Sequence, residues 1–144
     1  MSEAKRRQSG LVVILALIVG LGMVSTFTVA RRSMHMASAM AATTDQTAFA
    51  QAAPGSKVQA AVEITAVGAA GSAQGKLLDR ERGDLYKRTP AAVKIGYSDA
   101  TPVVMGKLAD LHAGAVVHVK GTIGQDHSVA AEQIVILTQY VQVH

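Results

Sequence analysis

KLADLHAGAVVHVKGTIGQDHSVAAEQIVI, Lys107 to Ile136, is the stretch on which the fold class turns. Within it Ala115, Val117 and Val119 alternate with His118 and Lys120, a turn-forming cluster follows at Gly124–His127, and Ile134 and Ile136 then lead into Thr138 and Tyr140. Val135, Leu137, Val141 and Val143 occupy the opposite side of that last run. A period of two belongs to a strand, whose successive side chains point to opposite faces of a sheet. Upstream, Val58, Ala60, Val62, Ile64 and Ala66 alternate with Gln59, Glu63 and Thr65 in the same way. Gly75–Leu78, Ala91–Tyr97 and Pro102–Met105 supply further candidate strands, separated by turn signals at Gly68–Gly71, Arg82-Gly83-Asp84 and Ser98-Asp99. The longest helical candidate in this part of the chain is Gly106–His112. Five or six short strands with so little helix predict a mainly β fold, a small β-barrel over residues 57–144, with Val117 on its core face.

The same stretch carries a finer signal, a run of the form xLxxGxxVxVxG, a tight turn, then xxxAxxIxI. It resembles the second half of an OB-fold (oligonucleotide/oligosaccharide-binding) domain, in which Leu111 and Gly114 close a helical turn and Gly121 sits where a strand bends around the barrel. The resemblance is one of pattern and implies no activity. Two membrane-associated OB families allow a sharper comparison. The haem chaperone of cytochrome c maturation is similar in plan but attaches haem through H-x-x-x-Y after its last strand, whereas here Tyr140 precedes His144. The periplasmic copper carriers use a His, two Met and a Trp; this chain has no Trp, and its barrel segment holds the single Met105 with His112, His118, His127 and His144.

Ahead of the β region, LVVILALIVGLGMVSTFTVA, Leu11 to Ala30, runs without a charge between Lys5-Arg6-Arg7 and Arg31-Arg32. Twenty residues at about 1.5 Å each reach about 30 Å, the thickness of a bilayer's hydrocarbon core. The rival reading is a cleaved secretory signal, with Ala37-Ser38-Ala39 and Ala48-Phe49-Ala50 as cleavage candidates. The apolar run is longer than a signal core of about 7–15 residues, and two arginines intervene before any such site, so an uncleaved anchor is expected. Lys5, Arg6, Arg7 and the α-amino group outnumber Arg31 and Arg32, which places the N-terminus in the cytoplasm and the remainder in a periplasm. The expected organisation is a cytoplasmic tail (1–10), one transmembrane helix in the inner membrane (11–30), a linker or helix extension (31–56) closed by Pro54-Gly55-Ser56, and the OB-like β-barrel domain (57–144). Ala and Met in the linker favour helix, which could run to about Ala50, and a flexible tether is the alternative.

Fourteen basic residues against ten acidic suggest nucleic acid at first sight. Partitioned, the excess lies beside the membrane: residues 1–56 hold five basic and two acidic groups, residues 57–144 nine and eight. With Tyr86, Tyr97 and Tyr140 as the barrel's only aromatics, there is neither a basic groove nor a stacking platform, and nucleic acid is excluded as a partner. No cysteine is present, so no disulfide framework or thiolate site exists. No nucleophile–base pair, paired carboxylates or phosphate-binding glycine loop stands out, and no catalytic residue, enzyme activity or bound cofactor is expected.

Two segments remain as candidate sites. Lys76 to Arg88, KLLDRERGDLYKR, mixes five basic and three acidic residues around Gly83. It reads either as a solvated hairpin or loop, or as a docking surface in which Arg80, Arg82, Tyr86, Lys87 and Arg88 supply the residue types enriched in binding hot spots. Met34-His35-Met36 with Met40 offers soft thioethers and an imidazole, the ligands that Cu(I) selects, although methionine at a headgroup boundary also packs against lipid or helix. The expected function is a non-catalytic accessory or assembly subunit of a membrane complex, plausibly respiratory or another redox assembly, whose partners are the bilayer and other subunits. The alternatives are a periplasmic copper or cofactor carrier and an envelope protein binding a small ligand or glycan.

Overall fold

A computed structural model describes residues 34–40 and 43–144. The apolar run 11–30, its basic flanks and the tail 1–10 lie outside the described residues, and with them the expected anchor and its orientation. Among the described residues no helix is long and apolar enough to cross a membrane.

Residues 34–40 are helical, and a second helix, α1 (Gln46–Gln51), follows separately. The expected continuous helix to Ala50 is therefore interrupted. Asp45 is extended, and its carboxylate accepts from the Ala48 N–H at 2.8 Å, an N-cap that starts a new helix in place of extending an old one. The α1 N-terminus is also tied to the sheet, since the Gln46 N–H donates to Asp79 Oδ1 at 3.0 Å.

The rest is mainly β: β1 (Lys57–Val67), β2 (Ser72–Arg82), β3 (Leu85–Gly96), β4 (Val103–Val104), β5 (Val116–Ile123), β6 (Val129–Ile136) and β7 (Gln142–Val143), with a 3-10 turn at Leu108–Asp110. One seven-stranded sheet orders them β4-β6-β5-β1-β2-β3-β7. The pairings β1–β2, β2–β3, β1–β5 and β5–β6 are antiparallel, and β3 meets β6 in parallel through Ile95↔Val129 and Gly96↔Ala130. Strand pairing thus runs in a closed ring through β1, β2, β3, β6 and β5.

The period-two assignment of faces holds in β1 as far as Ile64; Ala66, past the register shift between Ile64 and Ala66, is exposed. Val58, Ala60, Val62 and Ile64 of β1, Val117 and Val119 of β5, and Ile134 and Ile136 of β6 share one buried cluster, the ring interior. The alternate residues are buried too: Ala61, Leu78, Tyr86, Val116, Val135 and Leu137 form a second cluster on the outer face, completed by Ala39 with Met36 packed against it. The helical residues 34–40 thus cover an apolar face that the ring leaves outside. Phe49 of α1 enters the interior cluster near the start of β1, where Gly55 N–H donates to Ile123 O and Ile123 N–H to Ser56 O. Leu111 joins it at the far end, where Gly114 N–H donates to Ile64 O. The compact unit runs from His35 to His144, ahead of the expected start at residue 57, because residues 35–56 supply parts of both cores.

Two glycines let the strands close up. A Cβ on Gly75 would lie 2.4 Å from Glu63 O, and one on Gly121 2.2 Å from Ala130 O. Gly121 stands at the register shift between Lys120 and Gly121. Pro90 accompanies a further irregularity. Lacking an N–H, it cannot serve the β2–β3 ladder, and the Thr89 hydroxyl donates to Leu77 O at 2.8 Å instead. Register shifts between Lys76 and Leu78 at this point.

Candidate functional site

Beyond the Pro90 irregularity, β2 and β3 continue as a two-stranded ribbon. Leu78 is the last β2 residue paired with β1, whereas the β2–β3 ladder goes on through Leu78↔Arg88, Asp79↔Lys87, Arg80↔Tyr86 and Arg82↔Leu85. Gly83 turns the hairpin with φ +53, a left-handed conformation that glycine adopts without a Cβ penalty. Of the hairpin and loop readings of this segment the structure shows the hairpin, with a register shift between Arg80 and Arg82 near its tip. β7 supports it from the far side, pairing Leu85↔Gln142 and Tyr86↔Val143. His144 Nε2 lies 2.8 Å from Glu81 Oε2, an ion pair whenever the imidazole is protonated.

The five docking candidates divide by surroundings. Arg88 is committed to Glu63, with Nε 3.0 Å from Oε1 and Nη2 3.0 Å from Oε2, reaching from β3 to β1 across the intervening β2. Its guanidinium is held above its ordinary pKa by that carboxylate. Arg80 donates to Gly83 O at 2.9 Å and to the Met40 carbonyl, tying the ribbon to the end of the 34–40 helix. Tyr86, expected as a surface anchor, is fully buried in the outer-face cluster and presents nothing to a partner. Burial pushes its phenol above the ordinary value, offset in part by the Thr43 hydroxyl and the Arg80 charge. Arg82 and Lys87 are exposed, and no hydrogen bond or ion pair engages the side chain of either among the described residues. They carry what remains of the ribbon's cationic surface.

The Met-His-Met segment lies on residues 34–40. Met34 is 67% exposed, His35 and Met40 are half-buried, and Met36 packs against the outer-face core beside Ala39. Met36, like His35 and Met40, is half-buried. The ring interior is made up mostly of aliphatic side chains together with Phe49, and the His127 imidazole meets Phe49 edge-on with centroids 5.2 Å apart.

One cleft was not anticipated from the sequence. Met105, Asp110, His112 and Tyr140 contribute to the lining of a cavity of about 170 Å3, floored by Ile136. The β4–β6 pairs Val103↔Ile134 and Val104↔Val135 bring Met105 level with Ile136. Gly106 crosses so close that a Cβ there would lie 2.6 Å from Ile136 Cγ1 and 2.8 Å from Asp110 Oδ2. The Lys107 N–H donates to Asp110 Oδ2 at 2.7 Å and fixes the 3-10 turn, which aims the carboxylate. His118, by contrast, is 3% exposed on β5 between Ala61 and Val135, a core position. Among the described residues no trio of His, Cys, Asp or Glu is placed to hold a metal ion. Compared with family models, with curated proteins and with solved structures, the chain finds no match in any of the three.

Proposed function

We propose that the chain is a membrane-anchored, non-catalytic accessory subunit, an OB-like β-barrel that docks onto a larger membrane complex outside the cytoplasm. The observation that carries this reading is the β2–β3 ribbon: a stiff, two-stranded extension of the ring whose outward cations, Arg82 and Lys87, are not consumed by internal pairs. An interior made up mostly of aliphatic side chains leaves the surface as the place for recognition, and a ribbon braced by β7 loses little conformational entropy when it binds. The ring itself, with β1 between β2 and β5 and a parallel β3–β6 closure, fits a five-stranded Greek-key barrel of OB type. The apolar run Leu11 to Ala30 supports the anchor and the basic residues ahead of it the orientation. Partners of this surface carry acidic groups, since charge complementarity governs association at exposed sites.

Arg82→Glu with Lys87→Glu is the corresponding test. The double variant is expected to melt within about 1 kcal/mol of wild type, because exposed charges contribute little to stability. It is also expected to dissociate from the subunits that co-purify with wild type in mild detergent. Retained association by the folded variant refutes the docking surface.

A further inference from the structure

The cleft beside the 3-10 turn has the attributes of a soft-metal site, and they come from independent features of the chain. Met105 sits at φ +62, a left-handed conformation that costs a non-glycine residue about 1–3 kcal/mol and is kept only where the surroundings impose it. The imposing contacts are the β4–β6 pairing on one side and Gly106 pressed on Ile136 on the other. Their effect is to place Met105 in the wall of the cleft. In the same wall, His112 Nδ1 lies 3.0 Å from the Ala113 carbonyl oxygen. In the neutral tautomer that donates from Nδ1 to that carbonyl, Nε2 is left with the lone pair. A backbone carbonyl on Nδ1 is also the usual way a protein fixes a metal-ligating imidazole. Asp110 has Oδ2 engaged by the Lys107 N–H, while Oδ1 has no hydrogen-bond partner among the described residues and supplies negative charge to the same cavity.

The donor set selects the ion. Hard and borderline divalent ions take three or more carboxylate or imidazole donors, and no such trio exists among the described residues. One imidazole with one thioether suits a monovalent soft ion of low coordination number. We propose that this cleft binds one Cu(I) ion through His112 Nε2 and the Met105 thioether, with the Asp110 carboxylate offsetting its charge. The proposal stands independently of the docking surface, which lies on the β2–β3 ribbon and uses different residues. It also assigns copper to residues other than those of the 34–40 segment; Met105, like Met36, is partly buried against the outer-face cluster, and it also lines the cleft.

Competition with a chromogenic Cu(I) chelator under reducing, anaerobic conditions, on the full chain in detergent, tests it directly. One equivalent of Cu(I) is expected on wild type. His112→Gln and Met105→Leu are each expected to weaken binding by at least about 10- to 100-fold with an unchanged melting transition. Asp110→Asn, which retains the oxygen that accepts from Lys107, is expected to weaken it less. The combined Met34→Leu, Met36→Leu, Met40→Leu variant is expected to bind as wild type does. Absence of Cu(I) uptake by wild type overturns the site, as does uptake unaffected by the His112 and Met105 variants. Loss of uptake in the triple methionine variant alone assigns the metal to the 34–40 helix and likewise overturns it.

Discussion

Val117→Asp is expected to leave the β unit unfolded at room temperature. Val117 is fully buried in the ring interior, paired with Val62 on one side and Ile136 on the other. An aspartate there forfeits the burial of a valine, about 1.5–3 kcal/mol, and adds the cost of an unpartnered carboxyl among aliphatic side chains. Together these reach about 5 kcal/mol or more, comparable with the whole stability of a unit of this size, about 5–15 kcal/mol. Far-UV circular dichroism and thermal melting read the outcome. Val116→Asp provides the contrast. Val116 belongs to the outer-face cluster, which the 34–40 helix covers, so a charge there reaches water by displacing that helix. A lowered but still cooperative transition is expected. If Val117→Asp melts normally while Val116→Asp abolishes folding, the two faces have been exchanged.

The second large effect belongs to Phe49. Replacement by alanine opens the end of the ring that α1 closes, and truncation of a buried aromatic costs about 3–5 kcal/mol. The midpoint of denaturant unfolding should fall accordingly, with an unchanged slope if the two-state character is preserved. A fragment beginning at Lys57 lacks the same side chain and is expected to share the defect, which a fragment beginning at Thr43 escapes. Equal stability of the two fragments would show that α1 is dispensable.

Alternation made the ring legible because each of its strands has a fixed inside. Val58 to Ile64 and Ile134 to Leu137 could be assigned face by face without knowing that both faces are covered. The ribbon was harder to read. Asp79-Arg80-Glu81-Arg82 shows no apolar alternation, since past Pro90 the strands have left the ring and only Leu78 and Tyr86 remain committed to a core. The charged neighbours of Tyr86 point to a surface position and carry no trace of the helical residues, Met36 and Ala39, that share its cluster. The break before α1 was present in the sequence, because Thr43-Thr44-Asp45 is capping chemistry, but the alanine content around it argues the other way. The cleft could not be foreseen. Its walls come from the end of β4, the 3-10 turn and the segment after β6, and a left-handed methionine leaves no mark in composition or period.

The parallel seam that closes the ring consists of two residue pairs, Ile95↔Val129 and Gly96↔Ala130, joining positions about 34 residues apart in the chain. Every other joint of the ring is a longer antiparallel ladder. Closure is thus the step with the fewest residue pairs to reward it, and it is expected to come last in folding. The same seam is the one along which the native molecule opens most readily. Amide hydrogens of the seam residues should exchange through a partial opening well below the global free energy, while those of β1, flanked by β2 and β5, exchange only with complete unfolding.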